Sequence, residues 1–286
     1  MDAMLAEAQN LSSLAKTFQA EGYVVARSLF TRDECDHFAK YFTDMVERGG
    51  DGWSETVVDP NDPDPLRRYP RLLQPHRGDS VAFGYMIDPR IREHLTALAG
   101  AEPYAVQTMV YFKPPGARGQ NLHQDNMYLL AKPGTCLAAW MALDDIDEEN
   151  GCMVVAPGTQ DLPVMCQVER PGLSQEQWGD VETPLPPGTG TVPIVMSKGD
   201  VMFFNGSLIH GSFRNRSENR FRRTLIGHYI AAESQQVAKY YFPVFRMDGS
   251  RLDGEIAVSE TGGPCGTYGE DGVELSGQFK AWESAH

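Results

Sequence analysis

Asn121-Leu122-His123-Gln124-Asp125-Asn126, taken with Leu208-Ile209-His210 far downstream, is the stretch that decides how the rest of the chain is read. A histidine and an aspartate two residues apart, joined by a distant second histidine, make the two-histidine, one-carboxylate set that holds non-haem iron(II) on one face. The opposite positions stay open for other ligands. His-x-Asp alone arises often by chance, and an imidazole and a carboxylate at a strand end would be the simpler account. The surroundings must decide.

Working outward, His123 and Asp125 fall between two strand candidates, where a strand end enters a loop. In an extended segment residues i and i+2 share a side, so both can face one metal. His210 follows the apolar run Val201-Met202-Phe203-Phe204, itself preceded by the turn Lys198-Gly199-Asp200. A distant strand would then supply the third ligand.

The texture around these residues is that of short strands. Ala105–Phe112, Cys136–Leu143, Cys152–Val155, Val192–Met196, Val201–Phe204 and Arg222–Ile230 read as strands. Turn signals such as Lys113-Pro114-Pro115-Gly116, Glu149-Asn150-Gly151 and Pro157-Gly158-Thr159 separate them. Many short strands in one block indicate a jelly roll or sandwich, with a core over about 104–232. The expected class is mainly β with flanking helices, in a single domain over 1–286.

Upstream, about 1–100 reads as helical support. Residues Met4 to Ala20 carry Leu5, Leu11, Leu14 and Phe18 at helical spacing. Thr31 with Glu34 forms a capping box opening a helix that Gly49-Gly50-Asp51-Gly52 ends. Asp88-Pro89 opens another that stops at Gly100. Two stretches lack periodicity, about 51–80 and 161–190, and both are expected as lids over the site mouth. The first concentrates Arg67, Arg68, Arg71, His76 and Arg77. It is either a solvated loop held by salt bridges or a gate for an anionic substrate. The tail after about 232 yields no assignment.

Composition narrows the function. The 286 residues carry a formal net charge of −14 and no long basic tract, which argues against nucleic acid or an anionic membrane as partner. The five cysteines are scattered, odd in number and without a Cys-x-x-Cys pair, so neither a disulfide framework nor a thiolate zinc site is expected. That usage suits a reducing cytoplasm. No signal peptide or membrane-spanning run is read.

The segment His123-Gln124-Asp125, Ala139-Trp140-Met141-Ala142, Glu149-Asn150-Gly151-Cys152 and Pro157-Gly158-Thr159, followed by His210-Gly211-Ser212 and Arg222-Arg223, resembles the phytanoyl-CoA dioxygenase family. Glu21-Gly22-Tyr23-Val24-Val25 is similar to that family's opening strand. The motifs keep their order from about Met109 to Tyr229. The resemblance implies a double-stranded β-helix (cupin-like jelly roll) that uses iron(II), 2-oxoglutarate and dioxygen. It implies hydroxylation of an unactivated C–H bond in a small molecule, with release of succinate and carbon dioxide.

By the same resemblance His123, Asp125 and His210 match the metal ligands, which are also the catalytic set. Arg222 matches the arginine that grips the distal carboxylate of 2-oxoglutarate, a task suited to a planar guanidinium. The interval from His210 is one residue longer than the family's, which leaves Arg223 as the other option. Ser212 matches a hydroxyl donor to the co-substrate, and Trp140 and Met109 match residues lining its pocket. Gln107 shares Met109's face of a strand and either donates to the same ligand or faces water. Asn126, Tyr128, Arg68, Arg71 and His228 are the candidates for substrate contact. His37, His76, His94 and His286 have no partner pattern. Two other functions compete: a metal-dependent cupin-type isomerase or lyase, which needs no co-substrate arginine, and a non-catalytic binding protein on the same fold.

Overall fold

The computed structural model describes residues 2–50, 52–260, 262–270 and 272–279, with side chains from Leu11 onward; Asp51, His286 and the Leu5 side chain lie outside the described residues. The helices are α1 (Asp2–Glu21), α2 (Arg32–Arg48), α3 (Pro65–Arg68), α4 (Ser80–Met86), α5 (Pro89–Ala99) and α6 (Asn126–Leu129). The strands that build the barrel are β1 (Tyr23–Ala26), β2 (Leu72–Leu73), β3 (Tyr104–Lys113), β4 (Gln120–His123), β5 (Cys136–Ala142) and β6 (Met153–Val155). After the short hairpin β7 (Val168–Glu169) and β8 (Val181–Glu182) come β9 (Val192–Ile194), β10 (Val201–Asn205), β11 (His210–Ser212) and β12 (Arg222–Ile230). The tail adds β13 (Gln236–Ala238), β14 (Ala257–Ser259), β15 (Gly263–Gly269) and β16 (Gly272–Phe279).

The larger sheet runs β1-β10-β5-β12-β3-β2 and the smaller one β4-β11-β6-β9. Together they make the jelly roll. Strand alternation sorts the side chains into two cores. On β10, Val201 and Phe203 pack with Phe42, Tyr85 and Leu95 of the helices. Met202 and Phe204 point the other way, to Trp140, Met153 and Ile226 between the sheets. Phe203 is fully buried, and truncating it to alanine should cost about 3–5 kcal/mol. The helices thus cover one face of the larger sheet and leave the other free to hold a site.

The expected helix signals are all in place. Thr31 and Glu34 form the reciprocal capping box of α2, Asp88 caps α5, and Gly100 ends it with φ +79. The short α4, capped by Asp79, is an addition to the sequence reading.

Two expectations need correction. The stretch 51–80 is not a free lid along its whole length: β2 pairs antiparallel with β3, Leu72 opposite Val110 and Leu73 opposite Met109. Leu72 is fully buried, so its apolar side chain fixes the segment as the sheet's edge strand. The second is the cysteine reading. Cys166 and Cys265 form a disulfide across 99 residues, while Cys35, Cys136 and Cys152 are free and buried. The bridge joins the 161–190 segment to β15, and neither partner carries a local spacing signal. No helix among the described residues is long and apolar enough to cross a membrane.

Candidate metal centre and its cavity

His123 ends β4 and His210 opens β11, and the two residues are register partners on neighbouring strands. Asp125 does not continue β4. Its φ of −61 and ψ of −32 start the α6 turn, so the expected extended i, i+2 geometry is replaced by a strand end followed by a helical residue. The result is still convergent. One ligand atom from each of His123, Asp125 and His210 lies within 4.8 Å of the others, and all three residues are buried. Gln124, between them, donates to Pro163 O and Ser207 O and accepts from Met165 N, which ties both flanking loops to the ligand segment.

Both imidazoles are oriented from behind. His123 Nδ1 donates to Asn121 O at 2.8 Å and His210 Nδ1 to Leu208 O at 3.0 Å. A carbonyl partner fixes the proton on Nδ1 and leaves the Nε2 lone pairs for a metal. Burial, then His123, pushes His210 down to about 4, so it stays neutral at ordinary pH. Burial alone would raise the Asp125 carboxyl, but His210, His123 and His228 hold it well below the usual carboxylate range. The donor set is therefore two imidazoles and one carboxylate, which fits iron(II). Gln120 Nε2 lies 3.1 Å from His123 Nε2 and must turn aside when a metal takes that lone pair.

Behind the triad a narrow cleft is lined by Trp140, Met153, Phe204, Ser212, Arg222 and Ile226. Alternation on β12 puts Arg222 inside, with its guanidinium 5.3 Å from the Trp140 ring centroid and Nε donating to Gly151 O. Arg223 faces the helices, paired with Asp144 at 2.7 Å and touching Thr43 of α2. Arg222 is 3% exposed, and burial lowers it to about 10.

Lys113 was read only as part of a turn, yet it is buried opposite Arg222 in the β3–β12 register. Its Nζ donates to Ser212 Oγ at 2.8 Å and to Phe213 O. Ser212 Oγ also accepts from Gln120 N at 3.1 Å. With both acceptor sites used, the hydroxyl proton is left to donate elsewhere. Gly151, at φ +90, makes room for this lysine: a Cβ there would lie 2.8 Å from Lys113 Cδ. Among the described residues no carboxylate pairs with Lys113 or Arg222. Burial, then Arg222, pushes the Lys113 amine well below its usual value, and an anion placed between the two side chains would favour the charged form of both, so the cleft fits a dicarboxylate. The sequence signal for Lys113 was available: it shares a strand face with Gln107, Met109 and Tyr111.

In front of the triad a cavity of about 360 Å³ opens, meeting the cleft at His123, Asp125 and His228. Gln107, Met109, Tyr128 and Arg71 line it, as does His228, whose Nε2 sits 3.1 Å from Asp125 Oδ2. Asn126 and Arg68 do not line it. Asn126 exchanges hydrogen bonds with Ala131, bracing the end of α6. Arg68 donates to Asp62 O and Pro63 O within its own loop. Trp178 from the 161–190 segment and Tyr240 and Tyr241 from the tail complete the walls, and no motif marks these three. Asn121 holds the 161–190 segment in place through Gly179 O, Val181 O and Trp178 N.

Comparison with known proteins follows the same lines. The phytanoyl-CoA dioxygenase (PhyH) family model matches residues 18–224. The peroxisomal phytanoyl-CoA dioxygenase of Rattus norvegicus is 27% identical over 235 residues, covering 78% of this chain and 69% of that protein. Phytanoyl-CoA dioxygenase 1 of Oryza sativa is 30% identical over 165 residues, or 57% of this chain and 58% of that protein. The fold is shared with the epimerase SnoN in complex with Fe3+, alpha ketoglutarate and nogalamycin RO, at TM-score 0.64 and 20% identity over 80% and 86% of the two chains. It is also shared with apo EctD from S. alaskensis, at TM-score 0.61 and 19% identity, covering 79% of each chain. An oxygenase is therefore the enzyme class here, and the chain belongs to the phytanoyl-CoA dioxygenase family of iron- and 2-oxoglutarate-dependent oxygenases.

Proposed function

We propose that this enzyme hydroxylates an unactivated C–H bond of a small molecule held in the 360 Å³ cavity, using His123, Asp125 and His210 to hold iron(II). The observation that carries this is the convergence of the three buried ligand atoms where that cavity meets the cleft, with the buried Arg222 and Lys113 behind them. Family membership supports an oxygenase over the cupin-type isomerase and the non-catalytic binding protein.

Each residue has a task. The Nδ1 hydrogen bonds of His123 and His210 aim Nε2 at the metal, and His228 steadies the second oxygen of Asp125. Arg222 receives the distal carboxylate of 2-oxoglutarate through two parallel N–H groups. Ser212 donates to the same carboxylate, its proton directed by Lys113 and Gln120. Trp140 forms the wall against which the guanidinium rests, while Met109 and Gln107, matched in sequence to the co-substrate pocket, line the front cavity and not the cleft. When bound, iron(II) with 2-oxoglutarate and dioxygen supplies the oxidation, giving succinate, carbon dioxide and one oxygen atom for the C–H bond. The carboxylate of Asp125 supports hydroxylation over halogenation, since halide would need that position.

Purified protein with iron(II) should convert 2-oxoglutarate to succinate, faster when substrate is present, and the product should carry one added oxygen atom. A product with no added oxygen would replace hydroxylation by a ring closure or epimerisation. No succinate at all would sink the reading. The three free thiols suit a reducing cytoplasm, and the Cys166–Cys265 bridge stands against it. Alkylation of the protein in freshly lysed cells, scored by mass, decides: a quantitatively bridged pair removes the cytoplasmic assignment.

A further inference from the structure

We propose that the cavity beside the triad takes an uncharged, flat, ring-bearing molecule with an oxygen acceptor, recognised by stacking and hydrogen bonds rather than by charge. This rests on the oxygenase reading only for the position of the reacting carbon. It departs from the anionic substrate that the arginine-rich 51–80 segment suggests in the sequence.

The walls are aromatic. Tyr111, Tyr128, Trp178, Tyr240 and Tyr241 all line the space. Trp178 and Tyr111 lie nearly parallel, at 21° with centroids 6.3 Å apart. Flat ring faces favour offset or edge contact with another ring, which contributes beyond plain burial.

Charge recognition is spent before a ligand arrives. Arg71 gives Nε and Nη2 to the two carboxylate oxygens of Glu55 and Nη1 to the Tyr111 hydroxyl. An incoming anion would have to share that guanidinium with Glu55. The other arginines of the segment are also engaged: Arg67 with Asp62, Arg68 with backbone carbonyls, Arg77 with Tyr240 O and Phe242 O. No lysine lines the cavity. The phosphates of a coenzyme A thioester therefore meet no uncommitted cation in its walls. A cationic ligand would meet Asp180, whose two oxygens are already engaged by Ser174 N and Oγ, and the Arg71 guanidinium, which sits 4.1 Å from the Trp178 centroid and 5.2 Å from that of Tyr111.

What remains is neutral hydrogen bonding. Trp178 lines the cavity, and its buried Nε1 has no protein partner, which leaves a donor of this wall unsatisfied. Tyr128 adds a phenol. Gln107 adds an amide.

The test is calorimetric titration of the full chain with iron(II) and 2-oxoglutarate under argon, using four probes. They are 2-naphthol, 2-naphthoate, octanoyl-coenzyme A and naphthylmethyl-trimethylammonium. 2-Naphthol should bind at least about tenfold more tightly than the other three, and Trp178→Leu should weaken it by a similar factor. Glu55→Gln, which releases Arg71, should selectively strengthen 2-naphthoate. No binding of 2-naphthol, or equal or tighter binding of any charged probe to the unaltered protein, overturns the proposal. The heat of 2-oxoglutarate binding is recorded first on the same sample. Its absence counts against the oxygenase reading alone, because the probe titration is read with or without it.

Discussion

Nε2 of His228 stands 3.1 Å from Oδ2 of Asp125, while His123 and His210 approach the other oxygen, Oδ1, at 3.4 and 3.6 Å. The carboxylate is thereby held from both sides. An Asp125 oxygen can serve a metal only if the group does not rotate, and His228 is what stops it. His228→Ala should weaken iron(II) binding by about 10–100-fold, the usual cost of losing a partner behind a ligand. Iron titration monitored by competition with a chelator checks this. Unchanged iron affinity would reduce His228 to a wall of the cavity.

A second prediction separates two adjacent arginines. Arg222 is buried in the cleft without a carboxylate, and Arg223 is paired with Asp144 on the opposite face. Removing one partner of a buried charge pair costs about 2–5 kcal/mol. Arg222→Ala should therefore weaken 2-oxoglutarate by roughly 30-fold to a few thousand-fold. Arg222→Lys should recover only part of it. Arg223→Ala should leave 2-oxoglutarate binding nearly unchanged and lower thermal stability instead. A 2-oxoglutarate titration of the three variants decides, and a crippled Arg223→Ala would reverse the assignment.

How much of this was legible follows from the physics of each signal. The triad, Arg222, Ser212 and Trp140 sit in short motifs, while alternation along β12 put Arg222 and Arg223 on opposite faces without saying which faced inward. The jelly roll was legible because its strands are short and bounded by turns. Tyr240 and Tyr241 were not, because a turn at Lys239–Tyr241 reaches the cavity only through the fold of the tail. Asn126 misled because it adjoins Asp125; the α6 turn rotates it toward Ala131. The arginines of 51–80 left two readings open because a run of like charge says nothing of Glu55 and Asp62 across the loop.

Lys113 gives a third prediction. If it acts by directing the Ser212 hydroxyl, its loss and the loss of that hydroxyl are one event. Lys113→Met and Ser212→Ala should each weaken 2-oxoglutarate by about tenfold, in keeping with one hydrogen bond to a charged group. The double variant should be little worse than either single one, which the coupling in a double-mutant cycle measures. Additive losses would show that Lys113 acts on the co-substrate by a separate route.

The last prediction concerns acid. His76 is 4% exposed, with Nδ1 against Thr108 N and Oγ1 and Nε2 buried without a partner. Burial, then Arg77, lowers it from 6.5 to about 3. In the unfolded chain it takes a proton near 6.5, and in the folded protein only near 3. The unfolded state therefore binds more protons across that window, and stability rises with pH through it. The contribution is complete above 6.5 and is lost progressively as pH falls toward 3. At pH 5 the loss relative to pH 7 should be about 2 kcal/mol. Urea unfolding of the protein and of His76→Gln at both pH values isolates it. The variant should start less stable at pH 7 yet lose about 2 kcal/mol less on going to pH 5. Equal losses in both proteins would mean that His76 is already protonated in the folded state at pH 5, and that the space around Thr108 admits water.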